Sequence, residues 1–66
     1  MKNLYFANYY NELIGIKKDC KEEEIYKEVA EFLKKYNYKN YYVRTWMEND
    51  ELWIDFGSHV EFFVWK

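Results

Sequence analysis

Asp55, Ser58 and His59 lie within five residues of one another and hold the three groups of an acyl-transfer triad. That chemistry needs an imidazole held between nucleophile and carboxylate, with an oxyanion hole beside them. Neighbours in one tight turn do not readily supply such a geometry, and Ser58 and Gly57 are turn formers in their own right. A second arrangement pairs Asp55 with Glu61, two carboxylates of the kind used in general acid–base catalysis. Such a pair works in a deep cleft, for which a 66-residue chain has little room. Arg44, placed across a hairpin from Asp55, is more economically its ion-pair partner.

The remaining reactive groups are equally sparse. Cys20 falls in the first turn of an expected helix, where the helix dipole would favour a thiolate. However, it is the only cysteine, and His59 is the only histidine. One of each makes neither a disulfide nor a zinc site. With only Gly15 and Gly57, the chain holds no glycine-rich phosphate loop. The expectation is a protein that is not an enzyme and that carries no metal or cofactor.

The elements that position these groups begin with the stretch from Tyr41 to Trp65. Aromatic and β-branched residues dominate it, and its breaks fall at Glu48-Asn49-Asp50-Glu51 and at Gly57-Ser58. This pattern predicts a three-stranded antiparallel meander. A two-residue turn at Asn49-Asp50 pairs Met47 with Leu52, Trp46 with Trp53, Thr45 with Ile54 and Arg44 with Asp55. One face then holds Val43, Thr45, Met47, Leu52, Ile54 and Phe56, and the other Tyr42, Arg44, Trp46, Trp53 and Asp55. A three-residue turn at Gly57-Ser58-His59 adds Val60, Phe62 and Val64 to the first face. It adds Glu61, Phe63 and Trp65 to the second, and a slip of one residue there would exchange the two sets.

Residues 19–37 predict an amphipathic helix. Asp19 and Glu22 suit a capping box, Glu23 and Glu24 the first turn, and Lys34 and Lys35 the last. Ile25, Val29, Phe32, Leu33 and Tyr36 form one apolar stripe that can cover the aliphatic face of the sheet. Before it, Leu4, Tyr5, Tyr9, Leu13 and Ile16 recur at helical spacing and predict a short N-terminal helix from about Leu4 to Ile14. The fold expected is α+β in a single domain over residues 1–66: the amphipathic helix packed on the three-stranded meander, with the short N-terminal helix beside it.

At this length a single apolar core is marginal, and sixteen aromatic residues are what the chain offers to build one. A lone cysteine and the lack of any long apolar run point to a reducing, cytoplasmic setting without a membrane. Charge is unevenly spread. Residues 1–44 carry nine basic and seven acidic side chains, a net of +2, whereas residues 45–66 carry five acidic side chains and one lysine, a net of −4. All three tryptophans sit in the acidic part. Nucleic-acid binders show basic surfaces with interleaved aromatics, so direct contact with nucleic acid is not expected.

What the residues leave is an aromatic face rimmed by acids. Tyr42, Arg44, Trp46, Trp53, Asp55 and Trp65, with Glu48, Asp50, Glu51 and Glu61 around them, form the candidate partner-binding set. Trp, Tyr and Arg dominate binding hot spots. Carboxylates with stacking rings could occupy a basic groove built for nucleic acid. Three covers for such a face remain open: the N-terminal segment, a second copy in a structural or regulatory homodimer, or a partner protein. The run Trp53-Ile-Asp-Phe-Gly-Ser-His-Val-Glu-Phe-Phe63 resembles a segment of small phage- and prophage-encoded proteins of the anti-CRISPR and anti-defence type. That resemblance implies a short viral inhibitor acting in the host cytoplasm. Its partner would be a host protein such as a CRISPR-Cas nuclease or another nucleic-acid-handling enzyme.

Overall fold

A computed structural model describes residues 1–39 and 43–66; Asn40, Tyr41 and Tyr42 lie outside the described residues. The elements are β1 (Leu4–Ala7), β2 (Leu13–Lys17), one turn of 3-10 helix (Glu22–Glu24) running into α1 (Ile25–Lys35), β3 (Arg44–Glu48), β4 (Glu51–Asp55) and β5 (Phe62–Trp65). The strands form one five-stranded sheet in the order β2-β1-β5-β4-β3, and every pairing is antiparallel. The meander β3-β4-β5 is therefore only part of the sheet. The expected three-stranded sheet is corrected to five strands, and the expected N-terminal helix to a hairpin.

The hairpin forms because the spacing of Leu4, Tyr5, Tyr9 and Leu13 satisfies a strand period as well as a helical one. Asparagine and aromatic residues then decide against the helix. The Asn8 side-chain oxygen accepts the main-chain N–H of Tyr10 at 2.9 Å and of Glu12 at 3.0 Å, and Asn11 takes φ 63°. These are the turn-forming habits of asparagine. Leu4 and Phe6 then point to the core, and Tyr5 and Ala7 to the other face. A bulge between Leu4 and Tyr5, opposite Ile16, twists the far end of β2.

The helix is amphipathic as its pattern requires, and Ile25, Val29 and Leu33 are its buried side chains. Its start differs from the expected one. Asp19 sits in a turn at φ 51°, with its N–H bonded to the Asn3 side-chain oxygen at 2.9 Å. It is the Glu24 carboxylate that accepts the Lys21 N–H, at 2.9 Å. Tyr26 and Tyr36 stay exposed.

The core lies between α1 and one face of the sheet, built from Leu4, Phe6, Cys20, Ile25, Val29, Leu33, Ile54, Phe56 and Phe63. Phe6 is its aromatic hub, with ring centroids at 4.7 Å from Phe32 and 5.3 Å from Phe63. The register of the β3–β4 hairpin is that expected from the Asn49-Asp50 turn: Trp46 faces Trp53, and Arg44 faces Asp55. Both turn residues take positive φ, 51° and 63°, as a type I′ turn demands. The helix does not reach across to β3, so Val43 and Met47 remain exposed on what was expected to be the covered face.

The third strand of the meander is displaced by one residue from the expected register. β4 pairs with β5 as Leu52 with Trp65, Trp53 with Val64, and Ile54 with Phe63. The connection is longer than a three-residue turn, occupying Phe56 to Glu61 between the two strands. Asp55 organises it: its Oδ1 accepts the N–H of Gly57 at 2.8 Å and of His59 at 3.3 Å. Gly57 sits at φ 109° and His59 at φ 65°. Because strand side chains alternate, the odd displacement moves Phe63 and Trp65 to the helix face and Phe62 and Val64 to the opposite one.

Candidate functional site

The face turned away from α1 is built by alternation along each strand. It collects Arg44, Trp46 and Glu48 from β3; Glu51, Trp53 and Asp55 from β4; Phe62 and Val64 from β5; and Tyr5 and Ala7 from β1. Trp46 and Trp53, directly paired across β3 and β4, stack at 6.2 Å with an interplanar angle of 16°. Phe62 stands edge-on to both, at 5.7 Å from Trp46 and 6.1 Å from Trp53. The Arg44 guanidinium lies 5.1 Å from the Trp46 ring centroid, within cation–π range. Each indole N–H is met by a carboxylate two residues away on its own strand, Trp46 by Glu48 at 3.4 Å and Trp53 by Glu51 at 3.2 Å.

These rings are half-buried and lie over small or polar groups that are themselves shut off. Val64 and Asp55 are 0% exposed and Ala7 is 4% exposed. The aromatic cluster therefore seals the second face of the sheet while its outer surfaces meet solvent. The N-terminal residues, one of the three covers expected, are in the sheet instead, and the β4–β5 loop closes over Asp55 at one end of the face.

Asp55 is the electrostatic centre of this face. Its carboxylate receives the two main-chain N–H groups of the loop, approaches His59 Nδ1 at 2.9 Å and stands 3.6 Å from Arg44. Burial pushes its pKa up, but the Gly57 and His59 amides and the His59 ring outweigh this, and the carboxyl ends below its ordinary value. Ser58 is engaged locally. Its hydroxyl donates to the Glu61 carbonyl at 2.7 Å and accepts the Glu61 N–H at 2.8 Å. The trio thus has a structural explanation: it shapes the β4–β5 loop.

The other expected site residues are placed as follows. Asp50, at the hairpin turn, pairs with Lys2 at 3.6 Å. Glu51 pairs with Lys66 at 3.4 Å. The acidic rim is thereby partly neutralised within the chain, less acidic than its sequence suggests. Glu61 leaves the face altogether and accepts a hydrogen bond from the Tyr38 hydroxyl at 3.3 Å. Trp65 also leaves it. The displaced register turns its ring toward the helix side, where its N–H donates to the Cys20 carbonyl at 2.8 Å and Lys2 lies 4.8 Å from its ring. Tyr42 lies outside the described residues. Phe62, expected on the helix face, belongs to the site instead. The signal that could have found it is the run Asp55-x-Gly-Ser-His, whose turn residues fit a wide Asx-anchored loop better than a tight hairpin.

Cys20 is buried, and burial first, then Glu24 and Glu28, pushes its thiol pKa up. It is a packed thiol where a helix-activated one was conceivable. Among the described residues no group of three or more His, Cys, Asp and Glu side chains could hold a metal ion, and no helix is long and apolar enough to cross a membrane.

No family model, no curated protein and no solved structure matches this chain. The functional argument therefore rests on the face itself.

Proposed function

We propose that the protein is a non-catalytic, protein-binding inhibitor that engages its target through the face carrying Trp46, Trp53 and Phe62. The observation that supports this reading is the stacked Trp46–Trp53 pair with Phe62 edge-on, on the side of the sheet turned away from α1. Rigid aromatic platforms of this kind supply binding energy with little loss of side-chain freedom. Arg44 and Glu48 flank the rings and give the contact direction. Because Asp50, Glu51 and Asp55 already have cationic neighbours, the rings lead the interaction and the charges orient it.

The target class that the acidic-aromatic character suits is a basic groove made to hold nucleic acid. The resemblance of residues 53–63 to anti-CRISPR and other anti-defence proteins of phage origin points the same way. The reading is thus of a phage-type inhibitor that blocks a CRISPR-associated or other defence nuclease by occupying its nucleic-acid path. The test is cleavage of DNA by purified CRISPR-associated nucleases, titrated with the protein. The proposal expects stoichiometric inhibition by the wild type, loss of it in Trp46→Ala, and weakening in Glu48→Lys, with the circular dichroism spectrum retained. No inhibition of any nuclease, or undiminished inhibition by Trp46→Ala, would overturn it.

A further inference from the structure

The outer edge of the sheet at β2 has features that the aromatic face does not explain. Along β1 the main chain alternates its partners: Asn3 exchanges both hydrogen bonds with Lys66 on the β5 side, whereas the Asn8 N–H bonds to the Glu12 carbonyl on the β2 side. Continuing that alternation, Phe6 bonds to Ile14, and the N–H and C=O groups of Leu13 and Gly15 are turned outward from the sheet. Natural edge strands are usually protected by charges, prolines or a covering segment. The middle of β2 is Leu-Ile-Gly-Ile with none of these, and Leu13 and Ile14 are 44% and 48% exposed.

The edge is complementary to itself. Leu13 and Gly15 both point to the face opposite the helix, two residues apart. A Cβ placed on Gly15 would meet no atom within 4 Å, so there is open space beside a large apolar side chain. An antiparallel copy related by a two-fold axis through Ile14 sets Leu13 against Gly15 of the second copy, and the reverse. Large then meets small twice, and the outward main-chain groups of the two residues bond to each other. On the helix side, Ile14 meets its own mate beside a groove of about 280 Å³ lined by Ile14, Ile16, Phe32 and Tyr36, among others.

We propose that β2 is a self-pairing edge through which two copies of this chain join antiparallel about Ile14, Leu13 of each filling the space above Gly15 of the other. The two sheets become one of ten strands, with both aromatic faces on the same side and both helices on the other. The arrangement is independent of the target proposed above, and it leaves Trp46, Trp53 and Phe62 free in each copy.

The register gives a specific test. Directly opposed residues of a non-hydrogen-bonded antiparallel pair have Cα atoms about 4.5 Å apart, inside the range that a disulfide spans. Ile14→Cys should therefore form a disulfide-linked dimer under mild oxidation, whereas the wild type, with its buried Cys20, and Met47→Cys on the opposite edge should not. In sedimentation equilibrium the wild type should show a concentration-dependent dimer that Leu13→Lys abolishes, while Trp46→Ala retains it. Four outcomes would overturn the proposal: a wild type that stays monomeric at millimolar concentration, cross-linking of Met47→Cys in preference to Ile14→Cys, a dimer lost in Trp46→Ala, or one untouched by Leu13→Lys.

Discussion

Replacing Asp55 probes how the second face of the sheet is held. The carboxylate is fully buried and accepts the Gly57 N–H at 2.8 Å, the His59 N–H at 3.3 Å and a contact from His59 Nδ1 at 2.9 Å. Hydrogen bonds to a charged group contribute about 1.5–3 kcal/mol each when well formed. The long one counts for less, and the Arg44 pair, with its arginine side chain 61% exposed, for about 0–1 kcal/mol. Asp55→Ala should therefore lose about 3–4 kcal/mol, which is most of what a domain this small possesses. Asp55→Asn keeps an oxygen for the two amides and should lose about 1–2 kcal/mol. The sign of the pH dependence follows from the lowered pKa. A carboxyl depressed on folding contributes stability that is present above its unfolded pKa of about 3.9 and is lost as pH falls through the folded value. Urea unfolding, followed by far-UV circular dichroism from pH 7 to pH 2.5, should show wild-type stability falling below about pH 4. Asp55→Asn should show a flatter profile in that window. An Asn variant as stable as the wild type, or with the same acid dependence, would refute the reasoning.

Other perturbations test other parts of the structure. Phe63→Ala removes a ring that is 0% exposed from the centre of the aromatic core and should cost about 3–5 kcal/mol in chemical denaturation, enough to leave much of the chain unfolded. Asp50 stands at φ 63° in the β3–β4 turn, so Asp50→Gly should stabilise by about 0.5 kcal/mol in the same assay. Trp65→Phe removes the indole donor to the Cys20 carbonyl and should cost about 1–2 kcal/mol in the same assay. Cys20, buried and with its thiol pKa raised, should react slowly with a disulfide reagent in the folded protein and rapidly in urea.

How far the sequence disclosed this architecture differs from element to element. The β3–β4 hairpin was legible to the residue because Asn49-Asp50 demands a two-residue turn with positive φ at both positions, and such a turn fixes the register of everything beside it. The helix was legible from its stripe of Ile25, Val29 and Leu33. Two features were not. The apolar positions of β1 and β2 suit a helical period as well as a strand period; the deciding interactions, Asn8 with the amides of Tyr10 and Glu12, are side-chain to main-chain bonds that no periodicity reveals. The side assignment of β5 depended on loop length. Asp55 faces Arg44 as the hairpin register requires, but it also draws two loop amides inward, and the wider loop exchanges Phe62 for Trp65 on the aromatic face. Of the expected site residues, Arg44, Trp46, Glu48, Glu51, Trp53 and Asp55 share that face, Asp50 stands at its end, and Glu61 and Trp65 do not belong to it.

The account turns on whether the Trp46–Trp53–Phe62 face is uncovered in solution. The direct measurement is acrylamide quenching of Trp46 as the sole tryptophan, in Trp53→Phe/Trp65→Phe, across a dilution series. Quenching that is substantial and independent of concentration is the expected result. A Trp46 protected at every concentration, or one that becomes accessible only on dilution, would mean that the chain or its own copy covers the face, and would contradict its assignment as the surface that meets a target.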